Sequence, residues 1–293
     1  HRDLHYPLRR QRQMCIRDSN YLERINDLDE IPSPYLNGML DKFFDGMLTP
    51  FIETNRGCPF TCSFCHTGTQ RLVRNLTASE IVGQMMVARD AYGEWSSPPA
   101  GRMLSNIVMM GMGEPLLNYD AVVSAMRLML DDLSFGLSRR RVTLSTAGVV
   151  PAMDKLSEDC PVSLAVSLHA VRDEVRDELV PLNRKYPIDI LLDACRRFLR
   201  NDSRRRITFE YVMLSGINDS EEDAKTLVSL LRGIPSKINL IPFNPVPGVK
   251  YLCSDPDAID RFRERLIASG CLLYTSDAAD EEDSVDLGGR RII

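Results

Sequence analysis

The sequence lacks the features that define several common protein classes. It has no run of about 18 apolar residues, the length that a membrane-spanning helix needs. No apolar segment follows its basic amino terminus as it would in a secretory signal. Its eight cysteines form no paired framework of the disulfide-rich kind. The net charge of −5 gives no overall attraction to nucleic acid, so any RNA contact would depend on local patches. We therefore expect a cytoplasmic protein with no membrane partner.

Three of the cysteines lie together in one loop. Cys58, Cys62 and Cys65 have the spacing C-x3-C-x2-C within the segment RGCPFTCSFC. Three thiolates can hold three corners of a four-iron–four-sulfur (4Fe-4S) cluster and leave the fourth iron open to a substrate. A zinc site is the alternative, because zinc usually takes four ligands and His66 directly follows Cys65. The absence of a second cysteine pair favours iron–sulfur. The other cysteines are scattered singly, and Cys160 and Cys195 fit small buried residues.

The middle of the chain alternates strand-like and helix-like segments. Short aliphatic or β-branched runs bounded by Gly, Pro or Ser predict strands. Strands and helices that alternate along the chain predict a parallel sheet with right-handed crossovers. Six such units are too few for an eight-fold barrel, so we expect an α/β fold in the form of an open, partial (β/α)6 barrel. The predicted strands are 50–54, 106–110, 141–146, 162–168, 207–213 and 237–242, and the predicted helices are 77–91, 119–132, 151–157, 188–200, 219–231 and 256–269.

The two ends of the chain differ from the middle. Residues 1–19 are rich in arginine and lack apolar periodicity, and residues 272–293 are acidic and show no helix or strand pattern. We predict that both are disordered or non-native sequence. Residues 20–49 would form a lead-in segment, and residues 50–271 would form the barrel.

Polar residues and glycines follow most of the predicted strands. In a parallel α/β fold, ligands bind at the carboxyl ends of the strands, so these positions are candidate site residues. In the segment GMGEP, the glycines permit close backbone approach and Glu114 can accept hydrogen bonds from an ammonium group. His169 could hydrogen-bond a ligand, and Ser145 could bind ribose hydroxyls. The alternatives to ligand binding are a tight turn at the glycines, a structural role for His169 and capping of the following helix by Ser145. Further candidates at strand ends are Thr146, Ser167, Leu168 and Asn244.

The cysteine loop and the Gly-Glu element after the second strand together resemble the radical S-adenosylmethionine (SAM) enzymes. The segments NIVMMGMGEPLLN, AVSLHAVRDEVRDELVPLNRKYPI and KINLIPFNPVPG resemble more narrowly the dual-specificity RNA adenine-C2 methyltransferases, over about residues 61–270. This resemblance implies methylation of carbon 2 of adenine in 23S rRNA and in tRNA. We also expect an electron donor such as flavodoxin, and a monomer. The resemblance implies that Cys58, Cys62 and Cys65 hold a 4Fe-4S cluster, and that Gly113, Glu114, Ser145, Ser167, Leu168, His169 and Asn244 bind S-adenosyl-L-methionine.

The chain departs from the pattern of that family in two places. By spacing, the family's methyl-carrying cysteine falls near Leu287, and a second family cysteine falls at Phe51. Cys271 lies too early in the chain and lacks the flanking motif. We therefore assign no catalytic residue, and predict that the chain binds the cluster and SAM without methylating RNA. Residues 20–60 resemble a different radical SAM group, often preceded by a cobalamin-binding domain, which suggests a chimeric sequence.

Two alternative functions follow from these observations. One is a cobalamin-type radical SAM enzyme that acts on a small molecule or lipid. The other is a non-catalytic metal-binding module that binds RNA. For the second, the basic runs 139–141 and 204–206, with Arg196 and Arg197, could contact phosphates or could simply form a solvated surface.

Overall fold

A computed structural model describes residues 52–63, 65, 72–91, 94, 104, 106–200, 205–245 and 249–275. The predicted head 1–19, the lead-in 20–49 and most of the predicted tail lie outside these residues, as do Phe51, His66 and Leu287. Among the described helices, none combines the length and the hydropathy that a membrane crossing requires.

Six parallel strands form one sheet, and their order in the sheet follows their order in the chain. Neighbouring strands are closely in register, with Thr143 opposite Ser163 and Ile207 opposite Ser236. A short antiparallel pair, β1 (Asn55–Arg56) and β2 (Arg74–Asn75), precedes this sheet. The sheet consists of β3 (Ile107–Met109), β4 (Val142–Thr146), β5 (Ser163–Ser167), β6 (Ile207–Met213), β7 (Ser236–Pro242) and β8 (Leu273–Thr275).

Helices connect the strands, and the first and the last of them begin at side-chain caps. Thr77 caps the first helix, since its Oγ1 accepts the Glu80 N–H (3.3 Å) while the Glu80 carboxylate accepts the Thr77 N–H (2.7 Å). Asp255 caps the last helix by accepting the Asp257 N–H at 2.9 Å. The helices are α1 (Ala78–Ala91), α2 (Tyr119–Leu130), α3 (Val150–Asp159), α4 (Asp173–Leu179), α5 (Ile188–Leu199), α6 (Glu221–Leu230) and α7 (Pro256–Ala268), with 3-10 turns at Pro115–Leu117, Arg139–Arg141 and Pro181–Arg184.

One large apolar core lies between the sheet and the helices. Strand residues such as Ile107 and Leu144 and helix residues such as Phe198 are buried in it. Cys160 and Cys195 are also buried there, as predicted. A smaller second cluster, which includes Leu179 and Tyr251, lies at the carboxyl ends of the strands. This second cluster supports the segments that surround the site.

The six-stranded parallel architecture is confirmed, but the first predicted strand is wrong. Residues 52–54 have no strand conformation, although they run beside β3. The Ile52 N–H donates to Val108 O (2.9 Å), and the Gly111 N–H donates to Ile52 O (3.3 Å). Two hydrogen bonds hold this segment at the sheet edge without a regular ladder.

The sixth strand comes instead from Leu273–Thr275, which pairs in parallel with β7. The prediction that nothing regular follows residue 272 is therefore wrong for these three residues. A three-residue strand is too short to show a periodic pattern, and its position depends on pairing with β7. The seven-residue helix α4 was missed for the same reason of length.

Candidate active site

A cavity of about 220 Å³ opens at the carboxyl ends of the strands. Of the ten residues that the family resemblance assigns to the cluster or to SAM, eight line it: Cys58, Cys62, Cys65, Gly113, Glu114, Ser145, Ser167 and His169. The further strand-end candidate Thr146 also lines it. Leu168 does not line the cavity. Successive side chains point to opposite faces, so the side chain of Leu168 is buried in the core whereas those of its neighbours Ser167 and His169 face the cavity. Asn244 lies exposed just after β7 and is not part of the cavity wall.

The three cysteines of the loop are free thiols, each partly exposed. Burial raises the pKa of Cys62 to about 12 and also raises the pKa of Cys58. Both thiols are therefore protonated without a ligand, and metal binding would release protons. Among the described residues, no three His, Cys, Asp or Glu side chains form a group that could hold a single metal ion. In a 4Fe-4S cluster each cysteine binds a different iron, so three thiols spread around one cavity fit that group.

Hydrogen bonds from distant parts of the chain fix the cysteine loop. The Ser63 hydroxyl donates to Glu178 O (2.8 Å) and lies 2.9 Å from the Tyr251 hydroxyl. The Ser63 N–H donates to Leu179 O at 3.2 Å. Tyr251 in turn donates to the Glu178 carboxylate at 2.8 Å. The loop is thus tied to α4 and to the segment after β7, which keeps its thiols at the end of the sheet.

The Gly-Glu element after β3 is closely packed. Gly113 has φ +91°, and a Cβ there would lie 2.5 Å from the Asn55 Cβ, so only glycine fits without strain. The buried Glu114 carboxylate accepts the Leu116 N–H (3.1 Å) and the Ala147 N–H (2.7 Å). Burial raises the pKa of Glu114 to about 7, although the Ala147 N–H partly opposes this rise. A cationic ligand beside Glu114 would favour the ionised carboxylate and lower this pKa.

His169 lies two residues after the end of β5 and has an unusual backbone conformation. Its φ is +58°, the left-handed region that non-glycine residues seldom adopt, which indicates a position held by its surroundings. Its Nδ1 accepts the Val212 N–H (3.1 Å), and its carbonyl accepts a hydrogen bond from the Asn218 side chain (2.7 Å). Burial lowers the pKa of His169 to about 3, so the ring is neutral and carries its proton on Nε2.

Strand-end reasoning missed one charged residue of the cavity wall. Glu210 lies inside β6, opposite Ser167, and is buried at the cavity. The Asn239 side-chain amide donates to its carboxylate at 2.6 Å. The signal that could have revealed it is the one acidic residue in the apolar run ITFEYVM.

The remaining sequence candidates lie at the opposite end of the sheet. Cys271 lies between α7 and the start of β8, far from the cavity mouth, which agrees with leaving it unassigned. The run Arg139–Arg141 directly precedes β4, and Arg205 and Arg206 directly precede β6, while Arg204 lies outside the described residues. Arg196 and Arg197 lie in the last turn of α5, where they pair with Asp193 and Asp154. None of these basic residues borders the cavity.

Comparison with known proteins identifies the class. A family model for the radical SAM superfamily matches residues 52–228, which is more than half of the chain. The chain therefore belongs to the radical SAM superfamily, as its cysteine loop and Gly-Glu element indicated. Membership of this superfamily implies a 4Fe-4S cluster and SAM as cofactors.

Within the superfamily, the chain is similar to dual-specificity RNA methyltransferases RlmN. It is 60% identical over 222 residues to RlmN of Rhodopseudomonas palustris strain HaA2, covering 75% of this chain and 56% of that protein. It is 56% identical over 248 residues to RlmN of Methylorubrum extorquens strain PA1, covering 82% and 57%. The chain thus spans about half the length of these curated relatives.

Solved structures support the same fold. A radical SAM methyltransferase from Sphaerobacter thermophilus matches with a TM-score of 0.72 and 44% identity, over 78% of this chain and 67% of that one. Streptococcus suis SuiB bound to S-adenosylmethionine matches with a TM-score of 0.56 over 86% of this chain and 56% of that one. Since SuiB is only 14% identical, it shows the shared fold alone. The predicted partial barrel of the radical SAM type is confirmed.

Proposed function

We propose that this chain forms the SAM-binding core of a radical SAM RNA methyltransferase that modifies carbon 2 of adenine in 23S rRNA and tRNA. One observation carries the proposal. The three-cysteine loop, the Gly-Glu element and the ends of β4 and β5 meet at one cavity. The 60% identity to a protein named dual-specificity RNA methyltransferase supports the choice of substrate.

In this proposal Cys58, Cys62 and Cys65 hold the 4Fe-4S cluster. Thiolates are the ligands that iron–sulfur clusters prefer, and all three side chains border the same cavity. When bound, the reduced cluster supplies the single electron that breaks a carbon–sulfur bond of the SAM sulfonium. The ties from Ser63 to Glu178 and Tyr251 would keep the cysteines in place while this electron is delivered.

The predicted SAM ligands take distinct roles. Glu114 binds the methionyl ammonium, and Gly113 lets the backbone approach it closely. The side chains of Ser145, Ser167 and His169 line the cavity, and we assign them to the polar groups of the nucleoside. Leu168 would contribute only through its backbone, because its side chain is buried. Asn244 stays a proposed ligand at the same end of the sheet.

The chemistry of the substrate explains why a radical route is needed. Carbon 2 of adenine is electrophilic and has no acidic proton, so direct polar methyl transfer from SAM would be poor. The family instead carries the methyl group on a cysteine, whose place falls near Leu287 in this chain. We therefore propose that this sequence binds and cleaves SAM but does not itself complete methyl transfer. Flavodoxin as the electron donor, a monomeric state and a cytoplasmic location belong to the same proposal.

The test uses the chain reconstituted with iron and sulfide without oxygen. SAM, dithionite and an unmodified 23S rRNA fragment are added, and mass spectrometry follows 5′-deoxyadenosine and 2-methyladenosine. We expect 5′-deoxyadenosine and no 2-methyladenosine. Absence of both products would contradict the assignment of the SAM-cleaving core.

A variant of the chain tests the choice of RNA as substrate. Residues 276–293 are replaced by the corresponding carboxyl-terminal segment of the Rhodopseudomonas palustris relative, with its cysteine intact or changed to alanine, and Phe51 is changed to cysteine to restore the second cysteine of the family. We expect 2-methyladenosine only with the intact cysteine. Formation of 2-methyladenosine by the unaltered chain would instead show that a cysteine already present carries the methyl group.

A further inference from the structure

A buried arginine outside the predicted site connects several segments of it. Arg176 lies in α4 and is only 1% exposed. Its Nε donates to Leu168 O (3.0 Å), and its Nη2 donates to Ser167 O (2.9 Å) and to Ala147 O (2.8 Å). One guanidinium therefore binds the backbone just after β4 and at the end of β5. Arg176 itself does not line the cavity.

The position retains a positive charge despite its burial. Burial lowers the pKa of Arg176 to about 10, so the group is still charged at neutral pH. A charge in the interior is unfavourable unless its donors are satisfied. Here the remaining end of the fork, Nη1, donates to Asn183 Oδ1 at 2.8 Å. The planar, multidentate guanidinium can reach all of these acceptors together, which a lysine ammonium cannot do.

The contacts of Arg176 lead directly to the carboxylate of the site. Ala147 is the shared residue, since its carbonyl accepts from Arg176 while its N–H donates to Glu114 Oε2 at 2.7 Å. By holding the Ala147 carbonyl, Arg176 therefore helps to position the Ala147 N–H that donates to Glu114. The same guanidinium holds the carbonyl of Ser167, whose side chain lines the cavity.

Asn183 holds the arginine in turn. It is 1% exposed, and its amide donates to Asp173 Oδ1 (2.9 Å) and to Asp177 Oδ1 (2.7 Å). The arginine is thus held by the 3-10 turn that follows its own helix, so its direction toward β4 and β5 is defined.

We propose that Arg176 is a positioning residue for the SAM site. It holds Ala147 by its carbonyl, and through the N–H of the same residue it positions the Glu114 carboxylate, together with the end of β5 that bears Ser167. The inference rests on the proposed function, namely that this cavity binds SAM. A purely structural arginine would stabilise the fold without changing the SAM affinity of the folded protein.

The first experiment measures SAM affinity by equilibrium dialysis of the reconstituted full chain, well below its unfolding temperature. Arg176→Lys keeps the positive charge but loses the several fixed donors of the guanidinium, and we expect the SAM affinity to fall roughly tenfold. Arg197→Lys is the matched control, because Arg197 makes an equally close paired contact with Asp154 (2.8 and 2.9 Å) at the amino end of the sheet. We expect less than about a twofold change there. Equal SAM affinity in wild type and Arg176→Lys would overturn the proposal.

The second experiment tests the route through Glu114. If Arg176 acts on this carboxylate, Arg176→Lys in a Glu114→Gln background should weaken SAM binding by no more than about twofold further. A full additional tenfold loss would show that the two residues act independently and would overturn the route.

As a check on folding, the unfolding midpoint and the iron content of each variant are measured. If Arg176→Lys does not fold, Asn183→Ala serves instead, since it leaves Arg176 in place with one acceptor removed. We expect SAM affinity about threefold lower in that variant, and unchanged affinity would overturn the proposal. A wild-type chain that binds no SAM would overturn the proposed function itself, which distinguishes the two failures.

Discussion

The two ends of the parallel sheet are built from different kinds of residue. At the carboxyl end, a glycine with left-handed backbone, two buried carboxylates and three thiols surround one cavity. At the amino end, Arg139–Arg141 and Arg206 extend into solvent. Small residues allow a ligand to approach the backbone, whereas long arginines keep their charged heads in water. Ligand chemistry and surface charge are thus separated along the strands, so the basic runs cannot be assigned to the cavity by their composition.

The largest expected difference between the two ends is in iron binding. Cys58→Ala should lose most of the iron and the visible absorption of the reconstituted protein, because two cysteines remain for three proposed corners of the cluster. Cys271→Ala, at the amino end of β8, is the control and should keep both. Similar iron content in the two variants, measured per mole of folded protein, would contradict the assignment of the loop.

Packing around the Gly-Glu element should produce the next largest effect. Gly113→Ala should lower the free energy of unfolding by about 3 kcal/mol, because left-handed strain adds to a clash with Asn55. Gly216→Ala introduces similar strain (φ +69°) with no atom within 4 Å of the new Cβ. It should cost only about 1 kcal/mol. Urea unfolding measures both, and equal losses would show that the clash at Gly113 is relieved.

The pH dependence of SAM binding should follow Glu114. Its pKa of about 7 means that the carboxylate loses its charge as the pH falls below 7. SAM affinity should therefore drop about fivefold from pH 7 to pH 6, since the ammonium needs the ionised form. The contribution of Glu114 to stability has the opposite sign. A raised folded-state pKa stabilises the ligand-free protein at low pH, and this stabilisation is lost as the pH rises from about 4.5 to 7.

Dialysis across this pH range checks the prediction, with Glu114→Gln as the control. The variant should bind SAM weakly, with little change between pH 6 and pH 7. An unchanged fivefold drop in the variant would assign the titration to another group.

The smallest effect is expected at the amino end. The double substitution Arg139→Glu and Arg140→Glu should leave SAM affinity unchanged and alter binding of an rRNA fragment by less than about twofold. Filter binding at two salt concentrations measures it. A large, salt-dependent loss of RNA affinity would place a phosphate contact at this end and would remove the functional separation between the two ends.

Local signals predicted the fold well, and long-range contacts account for what was missed. The helices predicted at 77–91 and 256–269 are confirmed, and each begins at a cap formed by residues within one helical turn. The strand at Leu273–Thr275 was missed because it exists through pairing with β7. The strand-like composition of residues 50–54 predicts a strand, yet within the described part of this segment two hydrogen bonds join Ile52 to β3 and to the residues that follow it.

In the candidate site too, local sequence signals predicted most residues, and the residues that were missed depend on long-range contacts. Eight residues were placed at the cavity by their position after strands or in the cysteine loop. Glu210 escaped notice because the cavity extends along β6 into the strand itself. Arg176 escaped because a charged residue in a short helix carries no sign that its partners are the carbonyls of Ala147 and Ser167. Roles in SAM binding came from family motifs, since spacing alone does not specify a ligand.

The tie between Ser63 and Tyr251 has a consequence for how the protein is made. These residues are 188 positions apart in the chain. At about 5–20 residues per second, the ribosome would need roughly 10 to 40 seconds between synthesising the two. During that interval the three thiols would lack their final anchor and would be exposed to oxidants and to adventitious metals. Growth under high oxygen or excess zinc should therefore harm the protein most while it is being synthesised.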